Sequence, residues 1–304
     1  NLPPLGTADE HIIINEKIIR NGSERNLVID PGYSPKVIYF TVAPGMDIEL
    51  LKTIMTSDKI DGIILLTYGT GNAPTLKPFL DIIQEAINSG KIIVNISQCL
   101  SGEVEQGLYD VSVGLMTSGV VSGTDMTREA AYTKLCHLLG TEKQLDIIAD
   151  KMQINLRGEQ RQSIYNIHFG SDTIDEDSDV KSVIQKNPMV SLDTFDSTKI
   201  DKAFLRILGI SLEGSKRGKL NGKVYINLDN VDENSPEDID NFIGKFEKDK
   251  TWKVEEGKES IILPMTQQAI KFIDGKRPVQ ISIVDQTASR LKWDKLEIAI
   301  YTNN

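Results

Sequence analysis

The chain has 304 residues, of which 39% are hydrophobic and 26% charged, and its formal net charge at pH 7 is −10. This composition is typical of a globular protein with room for two domains, and the acidic balance argues against nucleic acid or an anionic membrane surface as a partner. No apolar run approaches the ~20 residues that span a bilayer, and the first residues are unlike a signal peptide.

Residues 1–35 contain two short extended segments separated by a turn at Asn21-Gly22-Ser23. The apolar content of this stretch is too small to form a core by itself, and the Asn-Gly-Ser sequence is typical of a turn. We predict that residues 1–35 are an interdomain linker segment that follows an upstream domain.

Residues 36–160 alternate short, almost continuously apolar runs with patterns of helical spacing. The apolar runs are typical of strands that are buried on both faces of a sheet, and they lie at residues 37–42, 62–66 and 91–95. The helical patterns lie at residues 47–57, 76–89, 110–117, 127–139 and 142–154. This alternation predicts an α/β domain with a parallel sheet flanked by helices, in which ligands bind beside the carboxyl ends of the strands.

Residues 161–198 are rich in Asp and Ser, and we predict that they form a polar linker. Residues 199–304 contain short apolar runs that alternate with period two, separated by Gly, Asp, Asn and Lys. This pattern predicts a small antiparallel β-sandwich. The order of these runs resembles the C-terminal β-sandwich of plant-type polyphenol oxidases, but no copper-binding histidine accompanies them, so we expect an interaction or shielding module.

Four motifs in the first half of the chain resemble, in order and spacing, those of the type I (cytoplasmic-type) L-asparaginases. They are Tyr68-Gly-Thr-Gly-Asn-Ala-Pro74, Asn95-Ile-Ser-Gln-Cys-Leu-Ser-Gly102, Gly119 to Thr127, and Asn155-Leu-Arg-Gly-Glu159. The first residues, Asn1-Leu-Pro-Pro4, resemble the linker that follows the N-terminal domain of that family. The resemblance covers residues 1–160 and implies the asparaginase C-terminal domain, with a flavodoxin-like sheet.

The resemblance implies an amidohydrolase that converts L-asparagine to L-aspartate and ammonia. Its nucleophile is a threonine hydroxyl in the N-terminal domain, and a second threonine, an aspartate and a lysine complete the site. The Thr-Gly-Gly-Thr and His-Gly-Thr-Asp-Thr runs that carry these groups do not occur in this sequence. We therefore expect the C-terminal part of an asparaginase, with no catalytic residue of its own, no cofactor and no activity when isolated.

The same resemblance implies that the chain works in a cytoplasmic homo-oligomer, a dimer or tetramer, together with the missing N-terminal asparaginase domain. Asn72 matches the residue that reaches the substrate in a neighbouring subunit, with Gly71 and Tyr68 beside it. An amide suits this role, because it can donate to a carboxylate and accept from an ammonium. The alternative for Asn72 is a simple turn residue. The alternative for the whole chain is a non-catalytic asparaginase-like binding or interaction module.

Type I asparaginases are commonly allosteric, and the resemblance places the effector site at Cys99, Thr67 and Thr70. Leu66 stands where the family has an arginine that grips the effector carboxylate, and leucine cannot do so. A buried small apolar residue is the alternative for Cys99.

Ser122 to Thr127 imitates a catalytic motif, but its position before a helix predicts that Thr124 or Asp125 is an N-cap. The three histidines, His11, His137 and His168, lack the spacing of metal ligands, and we predict no metal site. The two cysteines, Cys99 and Cys136, are few enough to fit reduced thiols in a cytoplasmic protein.

Overall fold

The computed structural model describes residues 4–19, 28–106, 110–170, 180–184, 195–212, 218–250, 259–286 and 291–303. The predicted turn at residues 21–23 and most of Asn1 to Pro4 lie outside these ranges. Two short strands, β1 (Gly6–Ala8) and β2 (Ile12–Ile14), form an antiparallel hairpin whose side chains are exposed, and a 3-10 turn at Glu16–Ile18 follows.

Four parallel strands form the sheet of the first half, and they lie side by side in chain order. In order along the chain, the elements are β3 (Val37–Thr41), α1 (Ile48–Met55), β4 (Gly62–Thr67), α2 (Lys77–Asn88), β5 (Ile92–Ser97), α3 (Asp110–Thr117), β6 (Val121–Ser122), α4 (Arg128–Thr141) and α5 (Leu145–Gln153). The predicted parallel sheet flanked by helices is therefore confirmed.

Helices cover both faces of this sheet because successive strand residues point to opposite sides. On one face, Ile63, Leu65 and Ile93 pack in a core with buried residues of α1, α2 and α3. On the other face, Ile64 and Val94 belong to a core that includes residues of α4 and α5. The three connecting helices share one face because right-handed crossovers between strands in sequential order all fall on the same side.

Antiparallel sheets make up the second half of the described chain. The elements are β7 (Gln162–His168), β8 (Val180–Ile184), a 3-10 turn (Ser197–Lys199), β9 (Ile200–Leu212), β10 (Gly218–Ile226), β11 (Phe242–Lys250), β12 (Glu259–Pro264), α6 (Thr266–Phe272), β13 (Gln280–Asp285), β14 (Leu291–Lys292) and β15 (Lys295–Asn303). One sheet has the order β12-β9-β15-β7, with β14 beside β9, and the other has the order β11-β10-β13-β8. Buried residues of both sheets share one core cluster.

The linker prediction for residues 161–198 is wrong at β7 and β8, which are strands of the two antiparallel sheets. Strand β7 pairs with β15 over its whole length, from Gln162 opposite Asn303 to His168 opposite Glu297. The average composition of the stretch is dominated by its Asp-rich part, and it hides the apolar residues Ile164, Tyr165 and Ile167. Residues 171–179 and 185–194 of the predicted linker lie outside the described part of the chain.

Two ion pairs lie where β7 begins, and the second of them is buried on both sides. The Nε atom of Arg161 lies 3.0 Å from Oδ2 of Asp125, which is almost fully buried. The Nζ atom of Lys134 lies 2.7 Å from Oε1 of Glu159. The buried Lys134–Glu159 pair fixes the path of the chain from α5 towards β7, since a buried charge that loses its partner is strongly destabilising.

Candidate functional site

The loop after β4 is a tight turn at the carboxyl edge of the parallel sheet. Tyr68 and Asn72 exchange two backbone hydrogen bonds, each 2.8 Å long, and so close the turn. Gly69 has φ 50° and Gly71 has φ 102°, a backbone region that favours glycine. A Cβ atom on Gly71 would also lie 2.6 Å from Cγ1 of Val104, so this position has no room for a side chain.

Strand β5 holds this turn from beneath through side-chain hydrogen bonds. The Thr67 hydroxyl donates to Oδ1 of Asn95 at 2.6 Å, and Nδ2 of Asn95 donates to the Gly71 carbonyl at 3.0 Å. Both side chains are fully buried. The Ser97 hydroxyl donates to the Gly69 carbonyl at 2.5 Å. Both glycine carbonyls of the turn are therefore tied to one rigid strand.

Asn72 carries the unmet hydrogen-bonding capacity of the turn. Among the described residues, its Oδ1 atom is buried and accepts no hydrogen bond. Buried polar atoms in folded proteins nearly always have a partner, so such an atom calls for a donor from outside the described structure. The neighbouring Gly69 and Thr70 are exposed, which places the turn at the protein surface.

The residues predicted for the effector site lie around this same turn, but in different environments. Thr67 is fully buried and its hydroxyl donates to Asn95, whereas Thr70 is exposed and its carbonyl accepts from the Glu105 N–H at 3.0 Å. Cys99 is exposed, and its N–H donates to the Ser97 hydroxyl at 3.0 Å. The alternative that Cys99 is a buried apolar residue is therefore wrong, because it lies on the loop beyond β5. Leu66 is buried in the sheet core.

Gln98 binds the ends of neighbouring strands together beside the turn. Its Nε2 atom donates to the carbonyls of Val42, at 2.8 Å, and Leu66, at 2.9 Å. Arg128, the first residue of α4, donates to the Gln98 carbonyl at 3.0 Å. Neither Gln98 nor Asn95 received a role from the sequence, although a polar residue inside the apolar run of β5 signals a buried hydrogen bond.

The loop between β6 and α4 packs against the same edge, but it caps α4 differently from the prediction. The N-cap is Thr127, whose hydroxyl accepts from the Ala130 N–H at 3.2 Å. The prediction of Thr124 or Asp125 as the cap is wrong, because the helix begins later, at Arg128. Asp125 instead accepts from the Arg161 backbone N–H at 3.0 Å.

Thr124 has a strained backbone, with φ 52°, and its buried Oγ1 has no partner among the described residues. A β-branched residue at positive φ is an outlier that the surrounding structure must hold in place. Its carbonyl accepts from the Val104 N–H at 2.9 Å, and the preceding Gly123 N–H donates to the Asn95 carbonyl at 2.9 Å. The loop therefore supports the turn through Val104 and Asn95.

Two other features bear on what the site can hold. Within the described ranges, no group of three His, Cys, Asp or Glu side chains is placed to bind a metal ion. None of the described helices has the length and apolar character needed to cross a membrane. The chemistry that the site offers is therefore that of an amide, hydroxyls and backbone groups around a glycine turn.

Comparison with known proteins finds a family match and relatives for the first half of the chain. Residues 36–152 match the family described as the Glutaminase/Asparaginase C-terminal domain. The chain is 39% identical to L-asparaginase 1 of Escherichia coli K12 over 160 residues, which cover 52% of this chain and 47% of that protein. It is 32% identical to the L-asparaginase of Thermococcus kodakarensis, over 50% of this chain and 44% of that protein.

A protein with a different name is also similar to this region. The mouse 60 kDa lysophospholipase is 36% identical over 141 residues, which cover 46% of this chain and 25% of that protein. The chain thus spans less than half the length of each of these three relatives. The region of this chain that matches the family model includes the Gly69 to Asn72 turn.

Proposed function

Residues 36–152 form a type I asparaginase-like C-terminal domain, and from this premise we propose that the chain is the C-terminal part of an L-asparaginase. Its reaction is the hydrolysis of L-asparagine to L-aspartate and ammonia. The attacking threonine belongs to an N-terminal asparaginase domain, because the two threonine runs of that domain do not occur in these 304 residues. The chain by itself is therefore inactive or nearly so.

In this proposal, Asn72 binds the substrate, and Gly71 and Tyr68 position it. The observation that carries the proposal is the buried Asn72 Oδ1 atom, which accepts no hydrogen bond among the described residues. An ammonium group of the substrate is a donor of the kind that this oxygen lacks. The rigid support from Thr67 and Asn95 keeps the entropic cost of binding low, because the turn is already held in one conformation.

The effector site proposed at Thr67, Thr70 and Cys99 has a weaker basis in the geometry. Thr70 and Cys99 are exposed beside the turn, which supports ligand access. The Thr67 hydroxyl already donates to Asn95 and faces the interior. With Leu66 in place of an arginine, an effector here would be bound without a guanidinium grip on its carboxylate.

The other segments of the chain have structural roles in this proposal. Residues 36–160 are the asparaginase-like C-terminal scaffold of a cytoplasmic homo-oligomer, and residues 199–304, joined by β7 and β8, are a small β-sandwich used for interaction. The shared core of the two antiparallel sheets supports the sandwich. Residues 1–35 link the scaffold to the N-terminal domain.

The experiment combines this chain with an N-terminal domain and measures ammonia release. The chain is co-expressed with the N-terminal domain of E. coli L-asparaginase 1, the complex is isolated by size exclusion, and ammonia is measured with L-asparagine. Asn72→Ala should lower kcat/KM at least tenfold, because a hydrogen bond to a charged group contributes roughly 1.5–3 kcal/mol. The control Asn88→Ala, at the exposed end of α2, should not change it.

A stable complex that releases no ammonia would contradict the enzymatic proposal. The alternative function, a non-catalytic asparaginase-like binding module, is favoured by the missing threonine runs. It predicts that the complex binds L-asparagine in calorimetry without turnover, and that Asn72→Ala weakens this binding.

A further inference from the structure

A cavity of about 280 Å³ lies between the two halves of the chain. Its walls come from α5 and the start of β6 on one side and from β7, β9 and β15 on the other. No residue of the turn at 67–73 or of the loop at 97–99 lines it. The cavity is therefore separate from the candidate site described above.

Two amide side chains that line it, Gln106 and Asn166, each have an oxygen without a hydrogen-bond partner among the described residues. Gln106 is 4% exposed, and its Oε1 atom is buried with no partner among the described residues. The Oδ1 atom of Asn166 is buried and likewise accepts no hydrogen bond. Such atoms are acceptors without a donor, which is uncommon in a folded protein.

The partners of both amides fix which atom is the oxygen. Nε2 of Gln106 donates to the Val120 carbonyl at 2.8 Å, and Nδ2 of Asn166 donates to Oδ1 of Asp150 at 3.1 Å. A carbonyl and a carboxylate can only accept, so neither amide can be turned around without placing two acceptors together. The two unmet groups are therefore acceptors, and a ligand that satisfies them must bring N–H or O–H donors.

The charges of the cavity favour a cation over an anion. Its lining has four carboxylates against two permanently charged cations, Arg206 and Lys295. Both cations already contact Glu297, at 3.3 Å from Nη1 of Arg206 and 2.8 Å from Nζ of Lys295. Arg206 also donates to the Tyr301 hydroxyl at 2.6 Å. An incoming anion would have to compete with Glu297 for both groups.

The acidic wall has one further basic neighbour, the imidazole of His168. Its Nε2 atom lies 3.1 Å from Oδ2 of Asp150, and its Nδ1 atom lies 3.5 Å from Oε2 of Glu297. At the rim, the exposed Asp146 also lines the cavity. Even with His168 protonated, the lining therefore has more carboxylates than cations.

We propose that this cavity binds a small organic ammonium ion, a primary amine with a short aliphatic body. The three N–H groups of a primary ammonium supply the donors that the amide oxygens of Gln106 and Asn166 lack, and its charge matches the acidic wall. The aliphatic body contacts the apolar part of the lining, which includes Met116, Val120 and Phe169. The volume is about that of nine water molecules, which is large enough for a ligand of this size.

The test titrates the full 304-residue chain, labelled with 15N, with four small probes and follows the backbone amide signals. n-Butylammonium should give saturable shifts around Gln106 and Asn166 with a Kd in the millimolar range, as expected for a ligand of five heavy atoms. Tetramethylammonium, which has the charge but no N–H donor, should bind at least tenfold more weakly. Butyrate and 1-butanol should give no saturable shifts at this site.

Variants assign the binding to the named groups. Gln106→Met removes the unmet oxygen at similar volume and should weaken n-butylammonium binding about tenfold, while Gln84→Met, on the outer side of α2, should leave it unchanged. Asp146 lies at the exposed rim of the cavity, so Asp146→Asn should leave the fold intact and should weaken n-butylammonium binding about threefold. Tetramethylammonium or butyrate binding as tightly as n-butylammonium would overturn the proposal. The absence of saturable shifts with n-butylammonium up to a 100-fold excess would also overturn the proposal, because the cavity would then hold only water.

Discussion

Replacing Lys134 with methionine removes a buried positive charge from the α/β half. The Lys134 side chain is 5% exposed, and its Nζ atom lies 2.7 Å from Oε1 of Glu159, which is 14% exposed. The same ammonium donates to the carbonyls of Ile154, at 2.6 Å, and Met152, at 3.1 Å, and to Oε1 of Gln160 at 3.0 Å. It therefore joins the end of α5 to the chain that leads into β7.

The stability that Lys134→Met should lose follows from the ionisation of Glu159. Burial raises the pKa of Glu159, but the Lys134 ammonium and the Leu156 N–H outweigh burial and hold this pKa at about 2, against an ordinary value of 4.5. That difference corresponds to about 3 kcal/mol of stabilisation of the folded state at neutral pH, and the burial that lowers the pKa of Lys134 to about 8 offsets part of it. The measured cost of breaking a buried ion pair, roughly 3–5 kcal/mol, agrees with it. Lys134→Met should lower the Tm by roughly 6–12 °C.

Guanidinium denaturation between pH 3 and pH 7 measures the effect. The stabilisation from Glu159 is complete above pH 4.5 and is lost as the pH falls from 4.5 towards 2, because the unfolded chain then binds more protons. The difference in the free energy of unfolding between the wild type and Lys134→Met should therefore become smaller as the pH falls from 4.5 towards 2. Burial lowers the pKa of Lys134 to about 8, so its own titration lies above the window.

Two further variants test the reasoning. Lys143→Met removes an exposed lysine and should change the free energy of unfolding by less than about 0.5 kcal/mol. Adding Glu159→Gln to Lys134→Met should restore part of the stability, because the uncompensated carboxylate is removed. The ion-pair argument would be refuted if Lys134→Met lowered the free energy of unfolding by less than 1 kcal/mol at pH 7. It would also be refuted if the difference in this free energy between the wild type and the variant did not change with pH.

Two other substitutions have matched controls in the same chain. Gly71→Ala should lower the free energy of unfolding by about 2 kcal/mol or more, since φ is 102° and the new Cβ would lie 2.6 Å from Val104. Its control is Gly69→Ala, whose new Cβ meets nothing within 4 Å, and which should lower this free energy by about 1 kcal/mol. Asp125→Ala should lower the free energy of unfolding, measured by urea denaturation, by about 2 kcal/mol, because it leaves the Arg161 N–H without its acceptor. Its control is Asp81→Ala, which breaks an exposed ion pair and should lower this free energy by less than about 1 kcal/mol. Equal losses within either pair would contradict these assignments.

The sequence by itself determined the parallel sheet and the position of the candidate site. The apolar runs that became β4 and β5 are buried on both faces, and a strand of this kind has few alternatives to a sheet covered by helices. The expectation that the run at residues 37–42 is buried in the same way is wrong, because β3 is an edge strand with Tyr39 and Thr41 exposed. The tight turn likewise depends on a local property, since Gly69 and Gly71 adopt the positive φ that glycine favours. These features depend on neighbours in the chain, and local patterns record them.

Only the tertiary structure decided the features that depend on distant partners. Strand β7 is a strand because β15, more than a hundred residues later, pairs with it, and a composition read locally as a linker cannot show this. The roles of Asn95 and Gln98 follow from carbonyls that the sheet brings within reach. The unmet oxygens of Gln106 and Asn166 exist because folding buried these amides where each has only one partner. Hydrogen bonds and buried charges are satisfied in three dimensions, so the sequence names the groups but not their partners.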